Sequence, residues 1–239
     1  MKDGETEPML IDIHSHLLPG IDDGAQTAEE AAQALRVAKR QGIEAMILTP
    51  HFYPDGSGAT RGKVLSGIAA LEATAREAGV RLYPGMECFY HTKLPAQLES
   101  GQALTLAGSR YALVEFSEGI AFSGMLYALN SISESGFVPI VAHYERYRCL
   151  MNRTNLARLK REGYLLQINF DTLQRVYGVL RRNPFLRHLS EGVVDFLGSD
   201  THGTHFRPLR IGPSVDWLRE RKLLDGMNGR AEKILRDEY

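Results

Sequence analysis

The chain has 239 residues, of which 44% are hydrophobic and 24% are charged, so it has enough apolar side chains for a sizeable core. The net charge of −1 gives no electrostatic reason to expect nucleic acid or an anionic membrane as the main partner. Two cysteines are too few for a disulfide framework, and no apolar run approaches the roughly 18 residues of a membrane span.

The N-terminal segment MKDGETEPM is polar and acidic, unlike the basic and apolar start of a signal peptide. We expect a single domain over residues 1–239, in which residues 1–8 form a flexible tail. The sparse cysteines are typical of a reducing compartment. The sequence therefore predicts a cytoplasmic protein that does not insert into the membrane.

Seven short apolar runs alternate with amphipathic stretches along the chain. The first amphipathic stretch opens with Thr27 and Glu30, which have capping-box spacing, and it stops at Gly42. The predicted strands lie at residues 9–16, 44–51, 80–88, 111–116, 137–143, 164–170 and 193–202. The predicted helices lie at residues 27–42, 62–79, 122–136, 152–163, 172–180, 183–192 and 213–222.

Strands that alternate with helices at this spacing favour a parallel sheet with right-handed crossovers. Seven such units favour closure into a barrel, although the pattern alone does not separate a barrel from an open sheet. In both architectures the active site lies at the C-terminal ends of the strands. We therefore predict an α/β fold, a (β/α) barrel with its active site at that end.

Six of the seven predicted strands end in His, Glu or Asp, whereas the sixth run offers only Gln167 and Asn169. In IDIHSH, the alternation of a strand places Asp12, His14 and His16 on one face. The strand-end residues are His14, His16, His51, Glu87, Glu115, His143, Asp200 and His202. Imidazole and carboxylate suit zinc, manganese or iron. Their number exceeds the need of one ion, so we predict two or three metals that share bridging carboxylates.

Each of these residues has a simpler interpretation when it is taken alone. His51 and His143 could be hydrogen-bonded core histidines, and Glu115 could be a helix cap or a surface ion-pair partner. Asp22 and Asp23 stand before a glycine and by themselves indicate a turn. These separate interpretations do not explain the whole set, because unrelated histidines and acids would not all fall at the same end of successive strands.

Arginines follow two of the strand-end motifs. Arg146 follows His143 in AHYERYR, and Arg207 and Arg210 follow the last motif. A planar guanidinium donates two hydrogen bonds to a phosphate, so these arginines favour a phosphate ligand over the simpler interpretation as solvated surface residues. Four more cluster around the sixth crossover: Arg175, Arg181, Arg182 and Arg187. Three histidines away from the strand ends are interpreted as surface residues or as residues behind the ligands: His91, His188 and His205.

The sequence lacks the signatures of other phosphate enzymes. Neither Cys88 nor Cys149 is followed by an arginine six residues later, as a cysteine-dependent phosphatase requires. No G-x-x-x-x-G-K motif is present either. If the chain acts on phosphate esters, it therefore does so with metal.

The segments DIHSHLLPGIDDG, TPH, GMECF, VEF, AHYER and SDTH, in this order, resemble the polymerase-and-histidinol-phosphatase (PHP) superfamily. Within it, the chain is most similar to the bacterial manganese-dependent protein-tyrosine phosphatases of capsule and exopolysaccharide operons. The resemblance runs from about residue 10 to the last helix. It implies a distorted seven-stranded, PHP- or TIM-like barrel that holds three metals.

The resemblance also implies a role for each matched position. The first ion is surrounded by His14, His16, Glu87 and Asp200. Glu87 bridges to the second ion, which Glu115 and His143 complete, and the third is held by Asp23, His51 and His202. Arg146 matches the family's phosphate-binding arginine, with Arg207 as a second one. Manganese is the implied metal, with iron, zinc or magnesium as alternatives.

The implied reaction is hydrolysis of phosphotyrosine by a hydroxide that bridges two metals. The implied partner is the tyrosine-rich tail of a membrane-associated bacterial tyrosine kinase. Two alternatives stay open: a phosphatase for a small phosphomonoester such as histidinol phosphate, and a non-catalytic module that binds phosphotyrosine. An amidohydrolase is disfavoured, because none of the seven strand segments contains the lysine that those enzymes often carry. One departure is Tyr144, which stands where the family often has proline.

Overall fold

A computed structural model describes residues 10–177 and 184–238 of the chain, and the side chains of 174–177 and of Pro184 are not described. The predicted tail at residues 1–8 lies outside these ranges, as do Arg181 and Arg182.

Strands and helices alternate along the described residues, as the apolar runs predict. The strands are β1 Leu10–Ser15, β2 Ile43–Leu48, β3 His51–Phe52, β4 Arg81–Pro84, β5 Glu87–Phe89, β6 Tyr111–Glu115, β7 Val138–Val141, β8 Leu165–Asn169 and β9 Phe196–Gly198. The α-helices are α1 Ala28–Arg40, α2 Arg61–Ala78, α3 Leu94–Glu99, α4 Phe122–Glu134, α5 Arg153–Arg161, α6 Phe170–Tyr177, α7 Pro184–Ser190, α8 Gly212–Glu220 and α9 Leu224–Arg236. Among these helices, none has the length and hydropathy needed to cross a bilayer.

All strand pairs in the described residues are parallel, and they form two curled sheets. One sheet has the order β1-β2-β4 and the other has the order β3-β5-β6-β7-β8-β9. The chain just after β1 and β9 joins the outer strands of the two sheets. There the His16 amide donates to the Thr201 carbonyl and the Asp200 amide donates to the His14 carbonyl, both at 2.8 Å. The C-terminal ends of all strands consequently face one region.

The predicted count of seven strands in one barrel is not confirmed. The predicted runs 44–51 and 80–88 each divide into two strands, so the described residues form nine. The first break falls at Thr49–Pro50, where proline has no N–H for a sheet hydrogen bond. The second falls at Gly85, where a Cβ would lie 2.9 Å from Ile47 Cγ2. Each run therefore leaves the smaller sheet and continues in the larger one.

The first strand pairs irregularly with its neighbour. Its register against β2 shifts between Asp12 and Ser15, which is the signature of a bulge. Ile13 packs with Ile11 in the same apolar cluster, and the Asp12 carboxylate accepts hydrogen bonds from the His14 and Ser199 amides. Ile11 and Ile13 thus share one apolar cluster, as the alternation predicts, and Asp12 supports the backbone of His14 and Ser199.

Helix α1 begins as predicted, at Thr27. Its hydroxyl accepts a hydrogen bond from the Glu30 amide at 3.1 Å, which satisfies one free N–H of the first turn. The reciprocal half of a capping box is absent, because Glu30 Oε2 accepts instead from the Gln26 amide. Glu30 Oε1 accepts from the amide of Thr204, so this helix start anchors the loop after β9.

Two apolar clusters fill the fold. The larger lies between the sheets and the helices that cover them. The smaller contains residues from five of the strands together with Ala231 and Ile234 of α9. Neither α9 nor the short α3 was among the predicted helices. The polar strand ends described below lie beyond these clusters.

Gly198→Ala should destabilise the fold, because the new Cβ would meet His14 Cβ at 2.6 Å and Gln167 Nε2 at 2.7 Å. We expect a loss of about 1–3 kcal/mol in the free energy of unfolding, the usual effect of overpacking. The measurement is urea denaturation, with Gly62→Ala in α2 as the control because a Cβ there meets nothing within 4 Å. Equal stability of the two variants would contradict this packing.

Candidate metal centre

The predicted metal ligands come together in the structure. Most lie at the C-terminal end of a strand or in the loop that follows, whereas His51 and Glu87 open the short strands β3 and β5, just after β2 and β4 end. Three overlapping groups of side chains have donor atoms within 4.8 Å of one another: His14, His16 and Asp200; His51, Glu87 and Glu115; and His16, Asp23, His51 and His202. The residues concerned are His14, His16, Asp23, His51, Glu87, Glu115, Asp200 and His202, and His143 joins them through Glu87.

The first group surrounds the Nε2 atoms of His14 and His16, which lie 3.1 Å apart. Glu87 Oε2 lies 3.3 and 3.4 Å from these two nitrogens, and Asp200 Oδ1 lies 3.7 and 3.5 Å from them. Four ligands about 2.1 Å from one ion in tetrahedral geometry lie roughly 3.4 Å from each other. His14, His16 and Asp200 therefore have donor atoms close enough together to bind one ion, and Glu87 Oε2 adjoins both imidazoles.

The second group lies on the other oxygen of Glu87. His143 Nε2 is 2.8 Å from Glu87 Oε1 and 3.6 Å from Glu115 Oε1. Glu87 thus faces two sets of ligands with its two oxygens, which is the arrangement that a bridging carboxylate needs.

The third group is the most open to solvent. The Nε2 atoms of His51 and His202 each lie 3.5 Å from Asp23 Oδ1. The Asp23 side chain is 61% exposed, whereas that of His202 is fully buried. Solvent can therefore reach the cluster from this side.

Hydrogen bonds behind the imidazoles fix their orientation. His14 Nδ1 donates to Gln167 Oε1 at 3.1 Å, and His16 Nδ1 donates to Asp22 Oδ2 at 2.8 Å. His202 Nδ1 donates to the Asp200 carbonyl at 2.9 Å. Because each of these partners is an acceptor, Nδ1 carries a proton, and Nε2 is the atom that would bind a metal after losing its own proton.

Sequence reasoning missed Asp22 and Gln167 as parts of the site. Asp22 accepts from His16 and from the His51 amide, and Gln167 accepts from His14 and from the His143 amide. The available signals were the two consecutive aspartates in PGIDDG and a glutamine in a buried strand. Neither pattern indicates which side chain lies behind an imidazole.

The charges in the cluster shift its pKa values. Burial alone would raise the pKa of Glu87, but the positive charge of His14 and the hydrogen bond from His143 hold it well below its usual range. Burial and the charge of Glu87 raise the pKa of Glu115 to about 7. Burial opposes the charge on His16, yet its bond to Asp22 and the charge of Glu87 raise its pKa well above the usual value. Protons therefore compete with metal at Glu115 and His16, so metal affinity should rise with pH.

Several donor atoms in the cluster lack a hydrogen-bond partner that a bound metal would replace. Glu87 Oε2, His51 Nδ1 and His143 Nδ1 are buried and make no hydrogen bond. A buried polar atom without a partner costs free energy. For the two atoms that face the cluster, Glu87 Oε2 and His51 Nδ1, which lie 3.0 Å apart, a cation would remove this cost.

Both predicted arginines lie beside the cluster. The Arg146 guanidinium donates to Asp200 Oδ2 at 2.7 Å, and Arg207 Nη1 lies 3.5 Å from the same oxygen. With Arg210 and His205 they line a cavity of about 680 Å³ next to the ligands. His143, Asp200 and Arg207 have positive φ angles, a backbone strain that is common at functional sites.

The remaining predicted residues lie farther out. The Tyr144 hydroxyl donates to His188 Nδ1 at 3.0 Å, so the tyrosine that replaces the family's proline joins its loop to α7. Arg187 forms an exposed ion pair with Glu191. His91 accepts a hydrogen bond from the Lys93 amide. These residues do not touch the predicted ligands.

Known proteins share this chain's sequence and fold. Residues 10–235 match the family model for capsular polysaccharide synthesis, CpsB/CapC. The chain belongs to the CpsB/CapC family. The tyrosine-protein phosphatase CpsB of Streptococcus pneumoniae is 30% identical over 220 residues, which cover 89% of this chain and 90% of that protein. The tyrosine-protein phosphatase YwqE of Bacillus subtilis is 29% identical over 208 residues, covering 83% of this chain and 79% of that protein.

Solved structures place CpsB/CapC proteins in a wider group of folds. A chain from the crystal structures of YwqE from Bacillus subtilis and CpsB from Streptococcus pneumoniae, described as unique metal-dependent tyrosine phosphatases, superposes with a TM-score of 0.84. The identity is 26%, and the match covers 96% of each chain. The Escherichia coli phosphotriesterase homology protein matches with a TM-score of 0.54 at 12% identity, over 94% of this chain and 98% of that chain. This second likeness is one of fold.

Gln167→Leu should weaken metal binding, because it removes the acceptor that orients His14 and the His143 amide. Loss of such a partner behind a ligand typically lowers metal affinity about 10- to 100-fold. The measurement is competition for Mn²⁺ with a chromogenic chelator. Gln33→Leu, an exposed position on α1, is the control, and an unchanged affinity in Gln167→Leu would contradict the orienting role.

Proposed function

We propose that this protein is a metal-dependent phosphatase that hydrolyses phosphotyrosine in proteins. The observation that carries the proposal is the convergence of acidic and imidazole side chains around Glu87, whose buried Oε2 has no hydrogen bond. Relatives named tyrosine-protein phosphatases, similar over most of the chain, support the same reaction. The metal-dependent tyrosine phosphatases that share the fold support the need for metal.

Manganese is the metal we propose, with two or three ions per chain. The mixture of imidazole and carboxylate donors suits this ion, and it also suits iron and zinc. The first ion would lie among His14, His16, Glu87 and Asp200. The second would lie among Glu87, Glu115 and His143, and the third among Asp23, His51 and His202. The donor distances within each group support this division.

The bound ions would lower the pKa of a water molecule and neutralise charge on the phosphoryl group. The chain's own part is to bind and orient that group. Burial disfavours the charge on Arg146, but the neighbouring Asp200 and Glu87 raise its pKa, so the guanidinium stays charged. Arg146 and Arg207 line one cavity and would donate to the phosphoryl oxygens that bear negative charge.

The substrate we propose is the tyrosine-rich tail of a bacterial tyrosine kinase in capsule or exopolysaccharide synthesis. The family's description as capsular polysaccharide synthesis supports this setting. A flexible tail suits a cluster that is open at exposed Asp23. Such a tail lies in the cytoplasm, where we place this protein.

Metal removal tests the proposed reaction. Treatment with a chelator should abolish hydrolysis of p-nitrophenyl phosphate and of a phosphotyrosine peptide, and Mn²⁺ should restore both. His14→Ala should remove activity without unfolding the protein, because the aliphatic clusters remain intact. Hydrolysis that survives chelation would rule out the mechanism, and faster turnover of histidinol phosphate than of the peptide would favour the small-substrate alternative.

Arg146→Lys should lower kcat/KM for the phosphotyrosine peptide by roughly 10- to 100-fold, because lysine keeps the charge but loses the planar pair of donors. Steady-state kinetics provide the measurement. Arg148→Lys, at an exposed position two residues away, is the matched control. Equal kinetics for the two variants would contradict a phosphate-binding role for Arg146.

A further inference from the structure

Phe206 is an unusually exposed aromatic residue next to the cluster. Its side chain is 59% exposed, although its ring centroid lies 5.9 Å from that of His202 in an edge-to-face arrangement. The Arg207 guanidinium lies over the same ring, 5.4 Å from its centroid. An apolar ring is thus presented to solvent between a predicted metal ligand and a predicted phosphate-binding arginine.

The loop that bears Phe206 is held in place by hydrogen bonds. The His202 amide and the Thr201 hydroxyl both donate to the Arg207 carbonyl, at 3.1 and 3.0 Å. The Thr204 amide donates to Glu30 Oε1 at 3.0 Å. These bonds fix the loop on both sides of Phe206, so the exposure of its ring is built into the fold.

A second aromatic ring lies against the other imidazole of the open group. Tyr53 stacks on His51 with centroids 5.4 Å apart and an interplanar angle of 22°. His51 and His202 flank Asp23, and their own ring centroids are 6.2 Å apart. Both imidazoles nearest the exposed acid therefore have an aromatic side chain beside them.

Metal ions and arginines recognise the phosphoryl group, which is the same in an aryl and an alkyl phosphate. A site that prefers aryl esters needs an apolar surface next to the phosphoryl position, where the ester group leaves the cluster. Aromatic rings attract one another in offset or edge-to-face contacts with centroids 4.5–7 Å apart. Phe206 and Tyr53 are aromatic rings beside two predicted ligands of the open group, so they border the exposed side of the cluster.

We propose that Phe206 and Tyr53 form an aryl-binding wall that makes the site select phosphate esters of phenols over those of aliphatic alcohols. The inference rests on the proposed function and names the part of the chain that recognises the tyrosine ring. Phe206 is the main contact because most of its ring is exposed, and Tyr53, which stacks on His51, is the second.

Two non-hydrolysable phosphonates separate ring recognition from phosphoryl recognition. Dissociation constants of phenylphosphonate and methylphosphonate are measured by calorimetry on the manganese-loaded protein. The wild type should bind phenylphosphonate more tightly. Phe206→Ala should reduce this preference by roughly three- to tenfold, the contribution of one aromatic pair, and leave methylphosphonate binding unchanged. Phe206→Trp should retain the preference, and Tyr53→Leu should reduce it.

Tyr127→Ala is the control, because Tyr127 is a similarly exposed aromatic residue, 66% exposed. Among the described residues its ring does not pack against a predicted ligand. It should leave both dissociation constants unchanged. A full preference for phenylphosphonate in Phe206→Ala and Tyr53→Leu would overturn the inference. Equal weakening of both phosphonates by Phe206→Ala would also overturn it, since Phe206 would then only hold Arg207 in place. Failure of the wild type to bind either phosphonate would instead overturn the proposed function, and the inference with it.

Discussion

The burial of Glu87 among imidazoles is the constraint on which the rest of the site depends. A carboxylate that is removed from water loses hydration free energy on the order of several kcal/mol. Nearby positive charges must compensate for this loss. Glu87 Oε2 lies 3.3, 3.4 and 3.0 Å from nitrogens of His14, His16 and His51 but makes no hydrogen bond. Protonated imidazoles provide part of the compensation in the metal-free chain, and cations would provide it more completely.

The surrounding polar residues preserve this arrangement. Asp22 and Gln167 each accept hydrogen bonds from one imidazole and from the backbone of another predicted ligand. Asn169 donates to Asp200 Oδ2, which Arg146 also contacts. Ligands from separate strands are thereby linked before any metal arrives. The strained φ angles at His143 and Asp200 are held by the same bonds, so their cost is part of forming a site ready for metal.

The sequence predicted the convergence of ligands because parallel strands have a common direction. Once His51, Glu87 and His143 were assigned to the ends of successive strands, their proximity followed from the fold class alone. The number of strands could not be predicted in this way. Proline at position 50 and the tight contact at Gly85 depend on how two sheets meet, and no local pattern specifies that. The bulge in β1 depends on register with a strand some thirty residues away and was unpredictable for the same reason.

The residues behind the ligands were harder to predict for a physical reason. Asp22 and Gln167 act through single hydrogen bonds to imidazoles, and a hydrogen bond requires an orientation that residue spacing does not reveal. Phe206 also has no sequence signature, since its role depends on exposure beside His202. Spacing thus indicates which residues converge beyond the strands, and the three-dimensional structure is needed to find what orients them.

The most direct test of the account is the number of divalent ions per chain in active protein. It is measured by inductively coupled plasma mass spectrometry after purification without chelators and exchange into metal-free buffer. The account predicts about two or three tightly held ions per chain, as the three donor groups require. Fully active protein that contains far less than one ion per chain would contradict it.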